Sequence, residues 1–274
     1  MSLLIRLLGP IEIEHVDTVT RIGAPKRQAM LATLALSANR PVALDTLIET
    51  LWGDTVPDSA MKNLRSHAHA LRTVVKGRLV THSGAYELQL DADELDITLF
   101  TSLADRGAAA LAAGDTAGAV AAYGEALGLW RGAALQGLPD PVRLDASVAG
   151  LLVRRLAAYE DYCDALLAGG AAGELVSDLR GYLAGHPFRE RAWSALMRAQ
   201  YRGGDLAGAL TSFAQAQAVL REQLGVDPGP DLVALHRAIL ARDPRLMADP
   251  RTLIPSYRLP WRRTKPTTFA AIST

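Results

Sequence analysis

At 274 residues, 49% hydrophobic and 21% charged, the chain has the make-up of a water-soluble globular protein with room for two ordinary domains. Its 29 Lys and Arg offset its 29 Asp and Glu, so any attraction to a charged partner must be local. The single Cys163 excludes an intrachain disulfide and a cysteine-based zinc site, and no apolar run or leader pattern points to a membrane, so a cytoplasmic location and no membrane partner are expected.

The first hundred residues alternate two periods. "LLIRLLG" (3–9), "IEIEH" (11–15) and "VTRI" (19–22) are strand-length runs broken by Gly9-Pro10 and a turn near Asp17, which predicts a small antiparallel sheet. A helix is predicted over 26–38, with Pro25 at its start, and a second over 45–52, begun by Asp45 and closed by Gly53. A third follows, and then "RLVTH" and "YELQL" flank Ser83-Gly84-Ala85 as a β-hairpin.

The third helix lies in "AMKNLRSHAHALRTVVKGR" (60–78), which holds five Lys or Arg, two His and no acid. At about 100° per residue, Leu64, Ala68, Leu71 and Val75 share a narrow apolar sector. Lys62, Arg65, Ser66, His69, Thr73 and Lys76 fall opposite, with Arg72 at the edge. A solvated helix usually interleaves Glu with Lys; this one carries its self-repulsion uncompensated, which points to a negatively charged partner. A short helix, a turn, a basic helix and a hairpin in that order make a winged helix-turn-helix. A helix of this kind fits the DNA major groove, where Arg and Lys reach guanine acceptors and Asn63 and Ser66 reach base edges or phosphates. Lys26 and Arg27, at a helix start, are phosphate candidates. His67 and His69 point in different directions with no further ligand nearby, so no metal is expected.

From about residue 96 the period is helical, over roughly 96–113, 115–130, 143–168, 172–185, 188–202, 205–224 and 230–241. "GDTAGAV" (114–120) and "GDLAGAL" (204–210) agree at five of seven positions, and Gly170 precedes Gly204 by 34 residues, the period of tetratricopeptide helix hairpins. Residues 243–274 hold five Pro and an excess of Arg and Lys, and read as a flexible basic tail in which Trp261 and Tyr257 offer a docking point. The expected fold is therefore mainly α: a winged helix (1–92), an all-α tetratricopeptide-like domain (93–243) and the tail (244–274).

The motifs "LLGPIEI", "APKRQAMLATLALSANRPVALDTLIETLWGD", "AMKNLRSHAHALR", "GAYELQLDADELDITLF", "GDTAGAVAAYGEALGLWRG", "HPFRERAWSALMRAQYRGGDLAGAL" and "LGVDPGPDLVALHRAIL" occur in order over residues 3–243. Together they resemble the Streptomyces antibiotic regulatory proteins, which pair an OmpR-type winged helix with a bacterial transcriptional activation domain. The resemblance implies tandem protomers on direct repeats of double-stranded DNA, recruitment of RNA polymerase including its sigma factor, and control of a secondary-metabolite gene cluster. It implies a recognition helix at 59–76 with Lys62, Asn63, Arg65, Ser66, His69, Arg72 and Thr73 toward DNA, and a wing at His82–Tyr86. The wing tip has only His82 and Ser83 where relatives often carry Arg or Lys, which argues against minor-groove insertion. No "GxxxxGK[ST]" phosphate loop and no catalytic constellation is present, so neither a cofactor nor an enzyme is expected. A rival reading is a helical-repeat adaptor whose concave surface, lined in part by Arg189, Arg191, Trp193 and Tyr201, binds a protein or small effector.

Overall fold

A computed structural model describes residues 3–16, 18–138 and 144–247. The chain divides into two compact units, one of residues 1–103 with 129–155, the other of 104–128 with 156 onward.

In the first unit, β1 (Leu3–Arg6), β2 (Glu12–His15) and β3 (Thr18–Arg21) form an antiparallel meander in which Ile5 pairs with Ile13 and Ile13 with Thr20. Strand alternation sends Leu3, Ile5 and Ile13 into the core. Helix α1 (Pro25–Leu36) starts with Pro25 in its first turn, where a missing N–H costs nothing. It buries Met30, Leu31 and Leu34 completely. Helix α2 (Leu44–Trp52) ends at Gly53, whose φ of 55° suits a residue without Cβ.

Helix α3 (Ala60–Val74) follows, then β5 (Leu79–His82) and β6 (Ala85–Leu88). The hairpin is tighter than the sequence suggests: His82 pairs with Ala85, leaving Ser83 and Gly84 as the loop. Sequence reading also misses β4 (Val42–Ala43), which joins the hairpin in the order β4-β6-β5. Two residues are too few to show a period. Their pairing is set instead by Asn39, whose side chain donates to Leu90 O and accepts from Leu90 N, both at 2.9 Å.

A further segment completes this unit. Arg131 N donates to Leu8 O and Gln136 N to Gly9 O, so residues 131–136 run against residues 7–9, just beyond β1. A Cβ on Gly9 would sit 2.9 Å from that of Arg131, so the close approach requires glycine. Beside it the buried Asp96 carboxylate accepts from Leu7 N and Leu8 N. Burial pushes its carboxyl up to about 6, against the pull of those N–H groups and of Arg131.

The second unit is helical throughout its described residues. It contains α5 (Thr116–Gly128), α7 (Ala172–Gly185), α8 (Glu190–Arg202), α9 (Leu206–Leu224) and α10 (Pro230–Leu240). The division falls within α4 (Asp96–Ala112) and α6 (Asp145–Ala168). The two similar heptapeptides form the same turn twice. Gly114 and Gly204 take φ of 75° and 82°, and Asp115 and Asp205 then accept from Gly118 N and Gly208 N at 2.9 and 2.8 Å. These capping carboxylates close the first turn of α5 and α9. Helix α8 packs between α7 and α9, and α10 lies on α8 and α9, the nearest-neighbour stacking of helical repeats. Pro244–Met247 form a short 3-10 turn; Tyr257 and Trp261 lie outside the described residues.

Candidate nucleic-acid interface

Helix α3 owes its orientation to its apolar stripe. Leu64, Ala68, Leu71 and the capping residue Val75 are all essentially inaccessible. The His15 ring hydrogen-bonds the Val74 carbonyl at 2.7 Å, tying the C-terminal end of the helix to β2. With one side fixed, helical spacing exposes Lys62, Arg65, Ser66, His69 and Thr73 together. No acid occurs in the helix, and among the described residues no carboxylate pairs with Lys62 or Arg65. This is a cationic surface whose charges remain available to an external anion.

Other candidate residues are more constrained. Asn63 is half-buried, and its Nδ2 donates to Ser59 Oγ at 3.1 Å, within the helix start. Arg72 turns toward the hairpin: it donates to Thr81 Oγ1 and its guanidinium lies 5.7 Å from the Tyr86 ring centre. That arrangement joins α3 to the wing rather than leaving the side chain free. Lys76 lies beyond the end of α3, in a left-handed turn with Gly77, because the helix spans 60–74 rather than 59–76. It is exposed but has left the helical face. At the wing tip Ser83 is exposed, whereas His82 is paired with Glu87, Nε2 to Oε2 at 2.6 Å.

Lys26 and Arg27 belong to a cluster that sequence reading does not assemble. Lys26 Nζ lies 4.5 Å from the Trp52 ring centre, and the His67 ring stacks on Trp52 at 6.5 Å. Burial, followed by the charges of Arg27 and Lys26, holds His67 below the usual histidine range. Three elements thus bring two cations and an imidazole together at the start of α1. The signal was present in "APKR", "TLW" and "SHAH", but their proximity comes from the packing of α1, α2 and α3.

The helical unit treats its basic residues differently. Arg189 donates to both oxygens of Glu160, at 2.7 and 2.8 Å, and Arg191 reaches Asp161 and Asp164. Trp193 is buried and Tyr201 half-buried. The two arginines named in the adaptor reading are therefore committed to α6 rather than presented to a partner peptide.

Comparison with known proteins agrees with this architecture. A family profile described as bacterial transcriptional activator domain matches residues 95–240. Regulatory protein DnrI of Streptomyces peucetius is 33% identical over 252 residues, covering 88% of this chain and 93% of DnrI. The chain belongs to the Streptomyces antibiotic regulatory protein family. Regulatory protein AfsR of Streptomyces griseus is 36% identical over 241 residues, 88% of this family member but 25% of AfsR, so the chain spans about a quarter of that relative's length. Among solved structures, Mycobacterium tuberculosis EmbR in complex with a low-affinity phosphopeptide superposes with a TM-score of 0.84 at 31% identity, over 88% of this chain and 66% of that one. The family fold is therefore an N-terminal winged helix followed by tetratricopeptide-like helices, as the sequence predicts.

Proposed function

We propose that this protein is a sequence-specific DNA-binding transcriptional activator without enzymatic activity. The observation that carries the reading is the exposed face of α3, where Lys62, Arg65, Ser66, His69 and Thr73 stand together without a carboxylate. In the bound state α3 lies in the major groove, with Arg65 and Lys62 toward guanine acceptors and Ser66 toward a base edge or phosphate. The Lys26 and Arg27 cluster and the wing tip at Ser83 meet the backbone, fixing register without reading sequence. Arg72 and Tyr86 hold the wing against α3. The named regulators among its relatives support a transcriptional role.

The finer reading is that protomers bind side by side on direct repeats, that the helical unit contacts RNA polymerase with its sigma factor, and that the target is a secondary-metabolite gene cluster. Because the chain is neutral overall, nonspecific attraction is weak and selection rests on the α3 face. If each protomer covers about four phosphates, the log–log dependence of affinity on salt has a slope near about −4.

The test is selection from a random duplex pool at about 150 mM salt, followed by sequencing of the bound fraction. Two direct repeats about one helical turn apart are expected. Absence of any enriched sequence, at that salt and at about 50 mM, rejects the reading.

A further inference from the structure

A groove of about 640 Å³ opens between α7, α8 and α9, a volume typical of small-molecule sites. Its apolar wall comes from Leu183, Pro187, Trp193, Leu196 and Val219. The Trp193 indole N–H donates to Pro187 O at 2.9 Å, so the polar end of that side chain is already satisfied and its carbon surface is what the groove receives. The other lining side chains include Thr211, Ser212, Gln215 and Gln223, all neutral hydrogen-bonding groups. Among the described residues one charge is present, Arg180, and no carboxylate lines the groove.

Arg180 is exposed at the rim of the groove and has one neighbour behind it. The Gln200 amide, 2% exposed, lies 2.8 Å from Ser212 Oγ; turned so that its oxygen faces donors and its nitrogen faces acceptors, the orientation its neighbours favour, it accepts from Arg180 Nη2 at 3.2 Å and donates to Ser212 Oγ. One buried group on α8 therefore touches both a cation from α7 and a hydroxyl from α9 at the same end of the groove. A guanidinium has five N–H donors, and the Gln200 contact uses one. Arg189 and Arg191 in the same unit are matched with acids, whereas no ion pair involves Arg180 among the described residues. A cation beside an apolar wall, with hydrogen-bonding neighbours and no competing carboxylate, complements a ligand with an anionic head and an apolar body.

We propose that this groove binds a small amphipathic organic anion, a carboxylate or sulfonate whose head is gripped by Arg180 and whose body lies against Trp193, Leu196 and Val219. A single cation suits one anionic head. An extended peptide would instead bring a row of backbone N–H and C=O groups to a wall that is largely carbon.

The test uses the full chain with 1-anilinonaphthalene-8-sulfonate as fluorescent probe and decanoate or decanol as competitor. Saturable probe binding at one site per chain is expected, with displacement by decanoate at concentrations where decanol is ineffective. Arg180→Gln is expected to weaken decanoate by roughly ten- to a hundredfold without altering the melting temperature. Val219→Trp, which fills the groove from the opposite side, is expected to abolish probe binding and serves as the second variant should Arg180→Gln fold poorly. Equal displacement by decanol, unchanged decanoate affinity in folded Arg180→Gln, unchanged probe binding in folded Val219→Trp, or no saturable binding overturns the proposal. So does binding of a labelled acidic peptide in the absence of binding by either small anion, which would assign the groove to a protein segment.

Discussion

On α8, Arg189 grips Glu160 through two hydrogen bonds and Arg191 reaches Asp161 and Asp164; on α3, Lys62 and Arg65 stand exposed with no carboxylate paired to them among the described residues. The same side-chain chemistry serves opposite ends. Where acid and base face each other across helices, the charge is consumed in holding the repeat together. Where a helix lacks acids altogether, the charge is kept for something outside the fold. A count of basic residues cannot separate these cases, because both stretches are arginine-rich.

The two sides of α3 can be perturbed separately. Leu64→Ala, on the buried side, should cost about 3 kcal/mol of folding stability, read by urea denaturation. A loss below about 0.5 kcal/mol would mean the stripe does not seat the helix.

Asp96 gives a partnered charge in the winged unit and a test by pH. Its folded value is raised from 3.8 to about 6, so its contribution to stability is complete below about pH 4 and is lost as pH rises through about 6. Between about pH 4.5 and 7.5 the chain should lose on the order of 2 kcal/mol that Asp96→Asn does not lose. Parallel pH profiles of the two proteins would show that the carboxyl does not titrate there.

Glu160→Gln should destabilise the helical unit by about 2 kcal/mol, since Arg189 is 38% exposed and water recovers part of the lost pairing. Its affinity for an operator should not change. Arg65→Ala should do the reverse, leaving the melting temperature unaltered and reducing operator affinity by about 1–2 kcal/mol in a titration. Equal operator affinity in folded Arg65→Ala would remove the α3 face from the interface. Arg72→Ala should give the smallest effect on affinity, below about 1 kcal/mol, because the side chain is already engaged with Thr81 and Tyr86.

Much of this is legible in the sequence. The apolar stripe Leu64, Ala68, Leu71 and Val75 is buried as its spacing requires, and each predicted helix from 96 onward has a counterpart shifted by no more than about two residues. Periodicity reports which side of an element is buried, because burial of apolar surface is what fixes that side. The pattern is weaker where an element is too short to repeat, as in β4, and where a helix end depends on one turn, as at Lys76.

The two periods, the acid-free helix and its order before a hairpin are properties of neighbouring residues and are written along the chain. Which charges are free follows from contacts between distant elements. Arg72 is drawn to Thr81, His82 to Glu87, and Arg189 to Glu160, while Lys26 and Arg27 gather with His67 near Trp52. Availability depends on what another element places within hydrogen-bond reach, and spacing along one chain carries no record of that distance.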